Sequence, residues 1–231
     1  MTAQVIILAA GMGTRLGRPH PKPLTKLETG QTIMAQQFQR VRDAFGPDVR
    51  ITVIVGFKMD LIMEAHPDAL FVYNEVYSET NTSKSLLKGL RSTWEGGVLW
   101  MNGDVVFDKG VLEGIADRIG GDQSFVCVNT ASVAEEEVKY TLGGDGFIDA
   151  LSKQVVGGLG EAVGINYISE RDKAAFVERL AECDDQDYFE RGLELAIERD
   201  GVRILPVDIS EHFVVEVDFE DDLARANQLH G

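Results

Sequence analysis

The chain has 231 residues, of which 44% are hydrophobic and 26% are charged, an ordinary composition for a globular protein large enough to bury a core. Its formal net charge of −16 argues against binding to nucleic acid, because a phosphate backbone is bound through clustered Lys and Arg. No apolar run approaches the ~20 residues that span a membrane, and the first residues lack the pattern of a signal peptide. We therefore expect a cytoplasmic protein, monomeric or homodimeric, with no nucleic-acid or membrane partner.

The first half of the chain alternates between apolar, strand-like runs and segments of helical periodicity. The predicted strands are Gln4–Leu8, Val49–Val55, Leu70–Tyr73, Gly97–Met101 and Ser124–Asn129, and the predicted helices are Thr32–Phe45, Lys58–Ala65, Ser85–Trp94 and Gly110–Ile119. This alternation favours a mostly parallel sheet with helices on both of its faces.

The second half begins with three strand-like runs close together in sequence, which predict an antiparallel excursion. The predicted strands are Val138–Leu142, Phe147–Leu151, Val163–Ile168, Val202–Pro206 and Phe213–Val217, and the predicted helices are Glu170–Ala181, Asp187–Asp200 and Glu220–Leu229. Since no linker or repeat divides the chain, we expect one α/β domain over residues 1–231. Its predicted architecture is a three-layer, Rossmann-like α/β/α arrangement around a mixed, mostly parallel sheet.

A glycine-rich turn follows the first strand, with glycines in a GxGxxxG spacing at Gly11, Gly13 and Gly17. This spacing matches neither the GxGxxG of dinucleotide-binding enzymes nor the GxxxxGK[ST] of P-loop proteins. Glycines allow backbone N–H groups to close on a bulky anion, and Arg15 and the proline-flanked Lys22 supply positive charge. We interpret the stretch as a triphosphate-binding loop.

Further polar residues follow the third and fourth strands, where open α/β sheets bind ligands. Asp104 lies just past the end of the fourth strand, where its carboxylate is a candidate Mg²⁺ ligand. The alternative is a surface turn, for which Asn-Gly-Asp is a typical sequence. Asn81 and Ser85 flank a predicted helix start and are candidates for contact with a base or ribose, with the alternative that one of Thr80–Ser83 merely caps the helix. We expect the neighbouring Lys84 to face solvent.

The stretch LAAGMGTRL at 8–16, followed by PKPL at 21–24, resembles the signature of the nucleotidyltransferases that activate sugar phosphates and related phospho-alcohols. The later stretches that resemble the branch typified by bacterial phosphocholine cytidylyltransferases are Tyr73–Glu75 with Asn81, Asn102–Asp104, Ser152–Lys153, Gly160–Ile165 and Glu216–Asp218. The resemblance covers nearly the whole chain in order. It implies a fold of the nucleotide-diphospho-sugar transferase type, in which residues 1–130 bind the nucleotide and residues 131–231 bind the acceptor and supply a second metal ligand.

The resemblance also implies a role for each residue of the loop. In this family an acceptor phosphate oxygen attacks the α-phosphorus of a nucleoside triphosphate and pyrophosphate leaves. Arg15 would neutralise the leaving phosphates, and Lys22 would reach the α-phosphate and the attacking phosphate. The residues expected to bind the nucleotide are Leu8, Ala9, Ala10, Gly11, Gly13, Thr14, Asn81 and Ser85.

Metal and acceptor binding are assigned to the later residues. The resemblance pairs Asp104 with Asp218 as Mg²⁺ ligands, and Glu216 could replace Asp218 because both lie on one face of a strand. Lys153 and Glu161 match family positions near the acceptor. The stretch after Asn81 contains no aromatic residue of the kind that boxes a quaternary ammonium in the phosphocholine branch, so the acceptor stays open.

These residues together predict a Mg²⁺-dependent cytidylyltransferase-type enzyme. CTP is the expected nucleotide, with UTP left open, and the acceptor is a phosphorylated alcohol, sugar or polyol, or a phosphonate. One alternative is a nucleotide-sugar-dependent glycosyltransferase of related fold, which would use Asp104 but would not need the loop signature. The other is a non-catalytic nucleotide-binding protein, which would not need Arg15 and Lys22 together with the two aspartates.

Overall fold

The structure is a computed structural model that describes residues 3–13, 15–131, 133 and 137–229. The strands are β1 Gln4–Ala9, β2 Arg50–Val55, β3 Leu70–Tyr73, β4 Val98–Asn102, β5 Val105–Phe107, β6 Phe125–Asn129, β7 Lys139–Leu142, β8 Ile148–Ser152, β9 Glu161–Ile168, β10 Leu205–Asp208 and β11 Val214–Glu216. The helices are α1 Ile33–Phe45, α2 Met59–Ala65, α3 Thr82–Arg91, α4 Lys109–Gly120, α5 Glu170–Glu182, α6 Phe189–Asp200 and α7 Glu220–Ala226. None of these helices is long and apolar enough to cross a membrane.

The central sheet has the strand order β10-β6-β9-β4-β1-β2-β3. Strands β4, β1, β2 and β3 run parallel, as do β10 and β6, whereas β9 is antiparallel to both β4 and β6. The hairpin of β7 and β8 is attached to β9, and β11 pairs with β5 in a separate two-stranded sheet. The predicted mixed, mostly parallel sheet is therefore confirmed.

Helices cover both faces of the sheet because successive residues of the buried strands point to opposite sides. In β1, Val5 and Ile7 join an apolar cluster with α1, α2 and α4, while Ile6 and Leu8 join a second cluster with α3, α5 and α6. A third, smaller cluster packs α7 against β5 and β11. This is the predicted three-layer α/β/α architecture.

Many element boundaries differ from the predicted ones by one to three residues, as in β10, which lies at Leu205–Asp208 instead of Val202–Pro206. Helix α3 begins at Thr82 instead of Ser85, because the Asn81 side chain accepts a hydrogen bond from the Thr82 backbone N–H. It ends at Arg91, and Trp94 lies beyond it beneath the guanidinium of Arg50, 4.2 Å from the ring centroid. The short strand β5 was not predicted, since a three-residue apolar run beside a turn carries little periodicity.

Phe176 of α5 is 0% exposed and packs against Trp100 of β4, with ring centroids 5.5 Å apart. Substitution Phe176→Ala should lower the free energy of unfolding by about 3–5 kcal/mol, because the vacated volume is enclosed by α6 and the sheet. Phe176→Leu should cost clearly less. Urea unfolding followed by circular dichroism measures both. The control is Val156→Ala at a side chain that is 94% exposed, and an equal effect in Phe176→Ala and Val156→Ala would contradict this account of the core.

Candidate active site

A cleft of about 680 Å³ opens where β1 and β4 end. Every predicted site residue that the structure describes lines it: Leu8, Ala9, Ala10, Gly11, Gly13, Arg15, Lys22, Asn81, Ser85, Asp104, Lys153, Glu161 and Asp218. Thr14 lies outside the described residues. Residues from both halves of the chain therefore meet in one cavity, at the sheet edge where α/β proteins bind ligands.

The glycine loop is closed onto Lys22. Gly13 has a φ of +58°, and a Cβ added to it would lie 3.1 Å from the Cβ of Lys22. Lys22 begins a short 3-10 turn, Lys22–Leu24, and is flanked by Pro21 and Pro23. Because the turn and the prolines restrict the lysine backbone, Lys22 is held against the loop at a reduced cost in conformational entropy.

Lys22 joins the two aspartates that were expected to bind metal. Its Nζ lies 2.8 Å from Oδ2 of Asp104 and 2.5 Å from Oδ1 of Asp218, and Nη1 of Arg15 lies 2.7 Å from the other oxygen of Asp218. Burial lowers the pKa of Lys22, but the two carboxylates outweigh it and the net pKa is raised. Burial likewise raises the pKa of Asp218, but Lys22 and Arg15 outweigh it and lower the pKa overall. The ion pairs thus favour the charged forms of Lys22 and Asp218.

Strand pairing brings Asp218 to Asp104. Strand β11 pairs antiparallel with β5, and the N–H of Val217 donates to the backbone carbonyl of Asp104 at 3.0 Å. As a result, one carboxylate oxygen from each of Asp104, Glu216 and Asp218 lies within 4.8 Å of the others. Burial, followed by the other two carboxylates, raises the pKa of Glu216 well above its ordinary range.

The carboxylate cluster has the chemistry of a Mg²⁺ site. Mg²⁺ prefers hard oxygen ligands, and protein sites supply it with one or two carboxylates. Oδ1 of Asp104 is buried and has no hydrogen-bond partner among the described residues. A buried carboxylate oxygen without a partner is costly unless a ligand satisfies it, so Asp104, Asp218 and Glu216 fit a divalent cation.

Asn81 and Ser85 hold the helix start as well as lining the cleft. The Asn81 side chain caps α3 and also donates to the Gln186 carbonyl at 3.3 Å, while Ser85 accepts a hydrogen bond from Asn74 at 3.0 Å. The capping alternative is confirmed for Asn81. Contact of either residue with a base or ribose stays a prediction.

Lys84 does not face solvent as expected. Its ammonium donates to the backbone carbonyls of Leu180, Ala181 and Cys183 at the end of α5. Those carbonyls have no partner within the helix and carry its negative dipole end, so a cation is favourable there. The interaction ties α3 to α5 and leaves Lys84 with a structural role.

The other end of the cleft carries Lys153 and Glu161 beside two further carboxylates, Glu137 and Glu190. Lys153 lies with its Nζ 5.0 Å from the centroid of the Tyr188 ring. Burial, followed by the carboxylate of Glu161, raises the pKa of Glu137. Burial raises the pKa of Glu190 to about 7.

Residues 5–183 match the sequence model of the MobA-like NTP transferase domain, which is well over half of the chain. The chain belongs to the MobA-like NTP transferase family. The glycine loop, Lys22 and Asp104 lie within the matched span of this NTP transferase, whereas Glu190, Glu216 and Asp218 follow it.

Curated proteins match part of the NTP transferase chain. The CMP-5'-(3-aminopropyl)phosphonate synthase of Streptomyces rubellomurinus is 32% identical over 122 residues, which are 49% of this chain and 19% of that protein. The bifunctional protein GlmU of Francisella philomiragia subsp. philomiragia is 32% identical over 105 residues, which are 46% of this chain and 23% of that protein. The matched segments thus span about a fifth of the length of these relatives.

Solved structures share the fold over almost the whole NTP transferase chain. CTP:phosphocholine cytidylyltransferase from Streptococcus pneumoniae is 17% identical, covers 99% of each chain and has a TM-score of 0.76. The inositol-1-phosphate CTP transferase of T. maritima is 16% identical, covers 100% of this chain and 98% of that one, and has a TM-score of 0.78. At such low identities the likeness shows the fold, and the predicted nucleotidyltransferase fold type is confirmed.

Glu137 and Glu190 were missed by sequence reasoning. Glu190 lies in a helix that was predicted correctly in position, where a glutamate in the first turn is typical of favourable charge at a helix N-terminus. Glu137 lies between predicted elements. The sequence carried no sign that either carboxylate turns into the cleft, because that depends on how α6 and the β7–β8 hairpin pack against the sheet.

Glu190→Gln should make this NTP transferase more stable in alkaline solution. Since burial raises the pKa of Glu190 from 4.5 to about 7, the folded state holds its proton more tightly than the unfolded state. The stability contributed by that proton is present below about pH 4.5 and is lost as the pH rises through about 7. The variant should therefore be more stable than wild type by roughly 3 kcal/mol at about pH 8, and no more stable at about pH 4.

Urea unfolding at both pH values measures this difference. Glu198→Gln is the matched control, because Glu198 is exposed on the same helix. A gain at about pH 8 that is equal in the two variants, or a gain that persists at about pH 4, would contradict the assignment to buried Glu190.

Proposed function

We propose that this chain is a Mg²⁺-dependent nucleotidyltransferase that joins a nucleoside triphosphate, with CTP the foremost candidate, to a small phosphorylated acceptor and releases pyrophosphate. The supporting observation is the ammonium of Lys22 between Asp104 and Asp218, directly against the glycine loop. Both reactants are anions, so the reaction needs fixed positive charge and metal ligands at the transferred phosphoryl group. We assign the nucleotide to residues 1–130 and the acceptor to residues 131–231 of a single domain.

The loop and its two cations would position the reactants. Backbone N–H groups around Gly11 and Gly13 bind the phosphates of the nucleotide. Lys22 holds the α-phosphate and the attacking oxygen in line, and Arg15 neutralises the charge that develops on the leaving pyrophosphate. Each cation is oriented by an aspartate before the substrate arrives, which reduces the reorganisation needed during the reaction.

Asp104 and Asp218 would hold the Mg²⁺, with Glu216 as a further carboxylate ligand. The buried, unpartnered Oδ1 of Asp104 supports this assignment. When bound, the ion would add positive charge beside the α-phosphorus and stabilise the transition state. The same two aspartates hold the ammonium of Lys22 beside the phosphate-binding loop.

The preference for CTP is supported by relatives. The Streptomyces relative is named for a CMP-linked aminopropylphosphonate, and two of the structural neighbours are CTP-dependent transferases by name. We assign the base or ribose to Asn81 and Ser85, and the acceptor to Lys153 and Glu161, all of which line the cleft. The acceptor is a phosphorylated alcohol, sugar or polyol, or a phosphonate.

Asp104→Asn should lower the turnover rate by on the order of 10²–10³ while the fold is retained, because the metal loses a charged ligand. Pyrophosphate release is measured with each of the four nucleoside triphosphates, Mg²⁺ and a panel of phosphorylated acceptors. Asp117→Asn, an exposed carboxylate on α4, is the control and should behave as wild type. Near-wild-type turnover in Asp104→Asn would remove Asp104 from the metal site. If the folded protein binds nucleotide but releases no pyrophosphate with any pair of substrates, it is a non-catalytic nucleotide-binding protein.

Lys22→Met should abolish most turnover through kcat, by on the order of 10²–10³, since the methionine keeps the apolar stem but removes the charge at the transferred phosphate. Lys26→Met, an exposed lysine shortly after the turn, is the matched control. Steady-state kinetics in both substrates separates kcat from KM. A change confined to the KM of the nucleotide would mean that Lys22 contributes only ground-state binding.

A further inference from the structure

A second charged group lines the cleft, apart from the lysine–aspartate cluster. It consists of Glu137, Lys153 at the end of β8, Glu161 at the start of β9 and Glu190 in the first turn of α6. Three of these four side chains are carboxylates and one is an ammonium.

Glu190 is the least expected member of this group. Its residue is 9% exposed, and its Oε2 is buried with no hydrogen-bond partner among the described residues. A buried carboxylate oxygen without a donor costs free energy that burial of an apolar side chain would not. The same turn of α6 already buries Phe189 and Leu193 in the core, so an apolar side chain at this position would be compatible with the packing.

The start of α6 does not require this carboxylate. The first N–H of the helix, that of Phe189, is satisfied by the hydroxyl of Thr82 at 3.1 Å. The N–H of Arg191 bonds to the carbonyl of Tyr188 at 3.2 Å. The Glu190 carboxylate interacts with its own backbone N–H. This interaction lowers the pKa of Glu190, but burial raises it by more. Oε2 of Glu190 is therefore available to a hydrogen-bond donor that is not among these contacts.

The wall next to Glu190 is already suited to an ammonium group. Tyr188 is 41% exposed, and the ammonium of Lys153 lies 5.0 Å from its ring centroid. An aromatic face and a carboxylate are the two groups that bind an alkylammonium ion, through cation–π attraction and a charge-assisted hydrogen bond. A second ammonium at this wall would meet the same ring and the carboxylate of Glu190.

We propose that Glu190 binds a primary ammonium group of the acceptor, so that the substrate is an aminoalkyl phosphate or an aminoalkyl phosphonate. This inference rests on the proposed nucleotidyl transfer, since it places the phosphate end of the same molecule at Lys22. A primary ammonium has three N–H donors and can satisfy Oε2 of Glu190, whereas a quaternary ammonium has none. A neutral hydroxyl could also donate, but only an ammonium forms a hydrogen bond with Glu190 in which both partners carry charge.

Matched acceptors test the inference with the intact enzyme. Ethanolamine phosphate and ethylene glycol monophosphate differ only in an ammonium in place of a hydroxyl, and phosphocholine replaces the N–H donors with methyl groups. With wild type, kcat/KM for ethanolamine phosphate should exceed that for each of the other two by on the order of 100-fold, the range expected for a charge-assisted hydrogen bond in a buried site. Glu190→Gln should remove most of that preference, because kcat/KM for ethanolamine phosphate falls far more than kcat/KM for ethylene glycol monophosphate.

Glu198→Gln is the control variant and should keep the wild-type preference, because Glu198 is exposed on the same helix and does not line the cleft. Equal turnover of the ammonium and hydroxyl acceptors, or preference for phosphocholine or a hexose phosphate, would overturn the inference and leave the nucleotidyl transfer standing. If no acceptor yields pyrophosphate, the proposed function fails, and calorimetric binding of ethanolamine phosphate against ethylene glycol monophosphate decides the ammonium site separately. Equal affinity in that titration, or an unchanged difference in Glu190→Gln, would overturn it.

Discussion

The ammonium of Lys22, shared by the carboxylates of Asp104 and Asp218, is the contact on which the candidate site depends. Neighbouring carboxylates repel one another, and the ammonium between these two offsets that repulsion. Arg15 adds a second cation on the far oxygen of Asp218. These ion pairs link the glycine loop to the ends of β4 and β11. They do so in a protein with a formal net charge of −16. Of the 22 Lys and Arg residues in the chain, Lys22 and Arg15 are held by these carboxylates beside the loop where an anionic substrate would react.

Burying charged groups in this cleft costs stability, which the two large apolar clusters on the faces of the sheet offset. Burial raises the pKa of Glu137, Glu190 and Glu216, so each costs stability when it ionises. The sheet and the helices α1, α3, α4, α5 and α6 are packed around fully buried side chains such as Trp100 and Phe176. A well-packed scaffold of this kind can hold charged groups in strained electrostatic surroundings, which is typical of active sites.

Periodicity was enough to predict the layers, because long apolar strands and amphipathic helices carry strong local signals. The loop residues and Asp104 were predictable for a similar reason, since the carboxyl ends of parallel strands meet at one edge. The link between Asp104 and Asp218 was different. It depends on the pairing of β11 with β5, and β5 is too short to show a pattern, so only the resemblance connected them. Glu190 and the helix-end contact of Lys84 were missed because tertiary packing alone determines what these side chains meet.

The distance along the chain between the partners of Lys22 has a consequence for biosynthesis. Asp104 is 82 positions from Lys22, whereas Asp218 is 196 positions away. During translation the glycine loop and the first four strands emerge long before β11 can pair with β5. Because a domain folds as a unit, Lys22 and Asp104 gain their third partner only once β11 is available to pair with β5. The charged centre therefore requires segments from both halves of the chain.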